Sequence, residues 1–179
     1  MRIYDYFPDE NFALLGALLL AHFNTRAFSG GTLAAKATSD PDIKTTTTIN
    51  FAINGKLYIK TADASIDVSG LAGCIAGVAA GTWNQAIGKY AAYLLTLNAS
   101  GTWNLLKGAD AATAAAALKL LPAPVAGTCP VGMIVVTNTT NIFTFGTTNE
   151  DAAGVTFTCS DLTQVVNGLG SIYADAVTQ

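Results

Sequence analysis

The residue types that support catalysis are scarce in this chain and poorly placed for it. There is one histidine, His22, so any Ser–His–acid or Cys–His arrangement would have to use it. It falls inside an apolar stretch that reads as helix, where a packed or rim histidine is the plainer account. No GxSxG elbow is present. Residues 81–89, GTWNQAIGK, superficially match a phosphate-binding loop. Six residues separate the two glycines where that motif has four, and Tyr90 stands where Ser or Thr must reach a magnesium ion.

Metal and carbohydrate chemistry find little more support. HExxH, paired CxxC and EF-hand patterns are all missing. Asp40 and Asp42 flank Pro41, and Asp63 and Asp67 stand four apart. Either pair suits a cation in a loop, but turn chemistry is the simpler use of both. Cys74, Cys129 and Cys159 are odd in number and lack ligand spacing, so they read as reduced, small apolar core residues. Glycoside hydrolysis needs two positioned carboxyl groups, and nothing in the spacing brings Glu10, Glu150 and Asp151 together. Trp83 and Trp103 offer either a glycan-binding surface or buried packing. The expectation is a protein that is not an enzyme, with no catalytic, cofactor or metal site.

The elements that would position any site begin with an apolar helix. Residues 9–26 follow Pro8, and Asp9 can cap them. Phe12, Leu15, Leu19 and Phe23 recur at helical spacing, and Leu14 and Leu18 widen the stripe. A helix apolar over so much of its circumference must be covered on more than one side. Residues 27–48 read as a linker, with Ser29-Gly30-Gly31 and 38–42 as turn residues.

The clearest local signal is 49–60, in which Asn54-Gly55 is the favoured pair of a two-residue hairpin turn. Closing the hairpin there sets Phe51 opposite Tyr58 and Ala52 opposite Leu57. Both faces are partly apolar, which predicts cover on both sides. Further strands are predicted at Lys89 to Leu97 and Thr102 to Lys107, joined by a turn at 98–101. Ala109 to Leu121 has high helix propensity and stops before Pro122. Val131 to Thr137 and Ile142 to Phe145 are expected to form a third hairpin. Val155 to Cys159 reads as another strand, and 162–176 as a weakly amphipathic helix.

The sum is a mainly β fold, an antiparallel β-sandwich or barrel with an N-terminal apolar helix and one short inserted helix. The expected division is an arm at 1–43, holding helix and linker, and an antiparallel β-domain at 44–179.

Composition narrows the partners. Of the 179 residues 51% are hydrophobic and only 12% charged. So little charge suits a subunit that hides surface against neighbours. The net charge is −3, and nine basic residues are spread without a cluster, so no nucleic-acid footprint forms. The first residues carry acids and a proline where a secretion signal needs a basic region. The apolar runs at 12–23 and 68–81 are too short to span a bilayer. A soluble protein without a membrane role is expected.

Read together, Lys44-Thr45, Ile49 to Tyr58 and Lys60-Thr61-Ala62 resemble a recurrent hairpin of phage and prophage structural proteins. The resemblance continues through 93–102, Lys107-Gly108, an alanine-rich segment, 121–124, 129–136, 143–148 and 151–154. It covers about residues 44–155. It implies an antiparallel β-domain in a tailed-phage virion protein and transfers no catalytic residue. It does not single out the component, because such domains are found in head decorations, fibres and tail parts. The leading expectation is a head decoration (cement) protein, located in the virion and assembled in the host cytoplasm. Such a protein would act as a homotrimer on coat protein, with Phe12, Leu15, Leu19 and Phe23 as the oligomer or docking interface. A tail, neck or fibre component, or a host-glycan-binding module using Trp83 and Trp103, is the alternative.

Overall fold

The computed structural model describes residues 24–36, 40–68 and 84–163. The expected amino-terminal helix lies outside these residues up to position 23, as does the carboxy-terminal segment from 164. What is described is mainly β. Eleven strands and one short helix are present among these residues, every strand pairing is antiparallel, and no closed barrel forms.

The largest sheet has four strands. β7 (Tyr90–Asn98) and β8 (Trp103–Lys107) form a hairpin across Gly101, β9 (Thr128–Asn138) pairs with the other side of β7, and β11 (Val155–Asp161) pairs with β9. β7 is buried over seven consecutive residues, 91–97, so both faces of the sheet are covered at its centre. On one face Tyr93, Leu95, Leu97, Leu105, Ile134 and Val136 join the main core. On the other, Ala92 meets Ala111 and Ala117 beneath α1 (Ala114–Lys119). The small alanines let the helix lie close to the sheet. Thr113 caps α1 by accepting from the Ala116 amide at 3.2 Å.

The predicted helix at 109–121 is therefore only six residues long. The alanine run is helical where it covers the sheet, and the chain leaves the helix at Leu120, ahead of Pro122. β9 carries a bulge where Leu95 pairs with Gly132 and Thr96 with Pro130. Pro130 stands at this irregularity in the β7–β9 ladder, the kind of position inside a sheet where proline is tolerated.

The second sheet packs on the core face. It holds β1 (Arg26–Ala27), β4 (Ile49–Ile53) and β5 (Lys56–Lys60), in the order β1-β4-β5. Ala27, Ile49, Phe51 and Ile53 belong to the same core cluster as the large sheet, and β1 and β4 lie against β9. The hairpin has the register expected from its turn: Phe51 faces Tyr58 and Ala52 faces Leu57. Asn54 and Gly55 both take positive φ, 50° and 79°, as a two-residue hairpin turn of the mirror-image type requires. Phe51 and Tyr58 stack with centroids 5.5 Å apart.

Two short pairs complete the fold, and both correct the expectation. β2 (Leu33–Ala35) and β3 (Ile43–Thr45) form a ladder inside the expected linker. Leu33 and Ile43 are core residues, so the boundary anticipated at 43/44 cuts through β3, and Arg26 lies in β1 rather than in a helix. β6 (Asn84–Gln85) pairs with β10 (Phe143–Thr144). The expected hairpin between 131–137 and 142–145 is thus replaced: β9 pairs with β11, and Phe143 turns away to meet Gln85 and the core.

Asp161, at the end of β11, ties the β2 segment to the large sheet. Its carboxylate accepts from the Thr32 amide at 2.9 Å and the Leu33 amide at 3.1 Å. Thr32 has φ 50°, a conformation costly for a β-branched residue, and these two bonds hold it. A Cβ at Gly30 would collide with the same carboxylate, so only glycine allows the approach. Asp161→Asn leaves one acceptor oxygen for the two amides and should cost about 1–2 kcal/mol. Hydrogen exchange at the Thr32 and Leu33 amides should accelerate selectively, and unchanged exchange there would remove Asp161 as the tie.

Candidate functional site

The residues singled out in the sequence fall into three groups. Phe12, Leu15, Leu19 and Phe23, together with His22, Trp83 and Cys74, lie outside the described residues. A second group is absorbed by the fold. Trp103 is 7% exposed, and its indole Nε1 donates to Asp63 at 2.6 Å. Lys60 lies over the Trp103 ring and pairs with Asp63 at 2.8 Å. Such a tryptophan offers no open face to a sugar.

The paired aspartates likewise serve turns and ion pairs. Asp40 accepts from the Asp42 amide at 3.0 Å, and Lys36 bridges both carboxylates. Among the described residues no group of three His, Cys, Asp or Glu is arranged to hold a metal ion. Cys129 and Cys159 are unbridged, and burial pushes each thiol up to about 12. For Cys159 the charges of Glu150 and Asp161 add to that effect. Both therefore stay protonated and unreactive at neutral pH.

The third group comprises two surface features, neither of which stands out as a site in the sequence. The first is the outer face of β5. Leu57 and Ile59 are 62% and 72% exposed, where cover on both sides of the hairpin was expected. They stand on the same side of the sheet as Asn50 and Ala52, their cross-strand partners. β5 ends the β1-β4-β5 sheet, so its outer backbone groups meet no described strand. Lys56 and Lys60 flank the apolar pair, Lys56 lying over the Tyr58 ring at 5.6 Å. Lysines at these positions discourage indiscriminate edge pairing. The alternation Lys-Leu-Tyr-Ile-Lys is visible in the sequence; which of its two apolar faces is left open depends on how the second sheet sits on the first.

The second feature is an open groove of about 700 Å³ between the β2–β3 ladder and β11. Val155, Phe157 and Cys159 of β11 line it together with Leu33, Ala34 and Ala35 of β2. Lys36 and Lys44 stand on one side, and Glu150 and Asp151 come from the turns that join β10 to β11. Glu150 is the unusual member. It is 5% exposed, and among the described residues neither carboxyl oxygen has a hydrogen-bond partner. Burial pushes its pKa up to about 8, with Asp40, Asp42 and Asp151 adding to the effect. In contrast, Lys36 holds the Asp40 carboxyl below its usual range, and Lys36 is itself raised by Asp40. Nothing local marks Glu150 in the sequence, since three separate segments close around it.

Among the described residues no helix is long and apolar enough to cross a membrane. Comparison with protein-family models, with curated proteins and with solved structures returns no match to this chain.

Proposed function

We propose that this chain is a non-enzymatic structural protein of a tailed-phage virion: a capsid decoration protein, built as a β-sandwich, that binds assembled coat protein as a homotrimer. The observation that carries the reading is the open face of β5. An edge strand presenting Leu57 and Ile59 to water is a liability for a free subunit. It is accounted for when a neighbouring protein covers it. The same strand belongs to the hairpin whose residues resemble phage structural proteins, and the low charge of the chain, 12% of residues, suits a surface largely hidden in an assembly. A protein that binds only the assembled shell stabilises it by mass action, because every bound copy favours the assembled state.

The test is the copy number of this chain in purified virions. A count that scales with the shell lattice supports the decoration role. A few copies, matching a three- or sixfold attachment point, would move the protein to the tail, neck or fibres. Leu57→Lys with Ile59→Lys should abolish binding to particles while changing the stability of the free subunit by less than about 0.5 kcal/mol, since both side chains are exposed. Undiminished particle binding by that variant would remove β5 as the contact. Phe12→Asp with Leu19→Asp tests the amino-terminal anchors in the same assay, with loss of assembly by a still-folded β-domain as the expected result.

A further inference from the structure

The groove beside Glu150 is separate from the β5 face. Glu150 lies in its wall, buried, with both carboxyl oxygens unpartnered among the described residues. A buried carboxyl in that state is unfavourable unless something meets it. The two cations lining the groove are committed elsewhere. Lys36 pairs with Asp40 at 2.9 Å and Asp42 at 3.3 Å, and Lys44 donates to the Lys36 carbonyl at 2.9 Å. The other charges acting on Glu150 are negative: Asp40 and Asp42 from the connection between β2 and β3, and Asp151 from its own turn. Asp161, farther along β11, is occupied by the Thr32 and Leu33 amides. Ala34, Ala35, Val155 and Phe157 supply hydrocarbon and aromatic surface to the lining, beside Thr156 and Cys159.

We propose that this groove binds an aliphatic cation, an ammonium or guanidinium group on a hydrocarbon stem, with Glu150 as its counter-ion. The stem lies along Val155 and Phe157, as lysine and arginine stems do on apolar surface. Both oxygens are sealed from solvent in the structure, so the charged head meets the carboxylate once the Glu150 side chain turns into the groove, inside a partly desolvated wall where such pairs are strongest. Asp151, beside Glu150 in the lining, adds negative charge at the same end of the groove. A lysine or arginine side chain of a partner polypeptide and a free alkylamine share this chemistry. Binding requires the ionised carboxylate, so a protonated Glu150 releases its proton to the buffer as the cation enters.

The experiment is an amide NMR titration of the full chain with n-butylguanidinium at pH 6 and pH 9. Neutral n-butylurea and the Glu150→Gln variant serve as controls. Saturable shifts are expected around Glu150, Phe157 and Cys159, with affinity roughly a hundredfold higher at pH 9 than at pH 6, given a group that titrates at about 8. Glu150→Gln should retain the amide spectrum outside the groove and lose the binding. A capped Gly-Arg-Gly peptide separates the two sources: tighter binding than n-butylguanidinium points to a polypeptide partner, equal binding to a free amine, and both support the site. Equal binding of n-butylurea, undiminished binding to Glu150→Gln, or no saturable shift at pH 9 would overturn the proposal.

Discussion

The stability of the free chain is expected to fall as the pH rises from about 4.5 to about 8, and Glu150→Gln is expected to remove most of that fall. Glu150 has its carboxyl pushed from 4.5 up to about 8, first by burial and then by the charges of Asp40, Asp42 and Asp151. Between those two values the folded chain holds a proton that the unfolded chain has released. The folded state binds more protons there, so stability decreases with pH. The contribution is fully present below 4.5 and is lost as the pH passes through about 8. Two other groups act in the opposite sense at lower pH. The hydrogen bond from Lys36 lowers Asp40. For Asp63, burial pushes the carboxyl up, but the hydrogen bonds from Lys60 and Trp103 outweigh it and leave the group lowered. Their stabilisation is present above 3.8 and lost as the pH falls below it. The combined profile has its maximum in mildly acid solution.

Relaxation of the side chain toward the open groove and entry of water on ionisation lower the cost of the Glu150 charge, which at pH 9 is set at roughly 2 kcal/mol, well below the unrelaxed figure. Glu150→Gln keeps the size of the side chain without the charge and should be more stable than the natural chain by about that amount at pH 9, with little difference at pH 4. Thermal melts at the two pH values decide the matter. A variant no more stable than the natural chain at pH 9 would show that Glu150 is ionised at no cost.

The parts of this fold that are legible in the sequence are those whose signals are local. Asn54-Gly55 can close a two-residue turn in essentially one way, and the register follows by counting outwards, so the residues alone place Phe51 opposite Tyr58. The β7–β8 hairpin is legible for the same reason, with Asn98 to Gly101 as its turn. Pairings between distant segments are not. The chain from Ile142 to Phe145 has the alternation of a strand following β9, yet β9 is satisfied by β11. Nothing in either segment announces that choice, because it is made by which partner lets Phe143 and Phe145 reach the core. Strands of two or three residues, such as β2 and β6, are too short to carry a period. Glu150 reads in the sequence only as one candidate carboxylate among several, because its isolation depends on β2, β11 and the Asp40–Asp42 turn meeting around it.

Gln85, in the two-residue strand β6, is where the largest loss from a single polar substitution is expected. It is 0% exposed. Its amide nitrogen donates to the Lys89 carbonyl at 2.7 Å and the Val136 carbonyl at 2.9 Å, and its amide oxygen accepts from the Tyr93 hydroxyl at 3.4 Å. Asn138, equally buried, donates to the Gln85 backbone carbonyl at 3.3 Å and to the Asn141 carbonyl. The pair therefore fastens the β6–β10 ladder to the end of β9. Gln85→Leu would fill much the same volume while leaving the buried Val136 carbonyl and the part-buried Lys89 carbonyl without that donor. Each stranded group costs about 1–3 kcal/mol, and the groups share one network, so the sum is less than additive. The expected loss is about 3 kcal/mol, or roughly 10 °C in Tm for a domain of this size. Tyr93→Phe is the control. Burial holds the Tyr93 hydroxyl neutral, well above the usual tyrosine range, with Asp110 adding to the effect. That hydroxyl gives up only a long hydrogen bond, so its removal should cost under about 1 kcal/mol. If Gln85→Leu melts within a degree or two of the natural chain, the network does not hold β6 in place. The attachment of the β6–β10 ladder would then rest on Phe143 and Phe145, whose rings pack edge to face at 5.6 Å in the core.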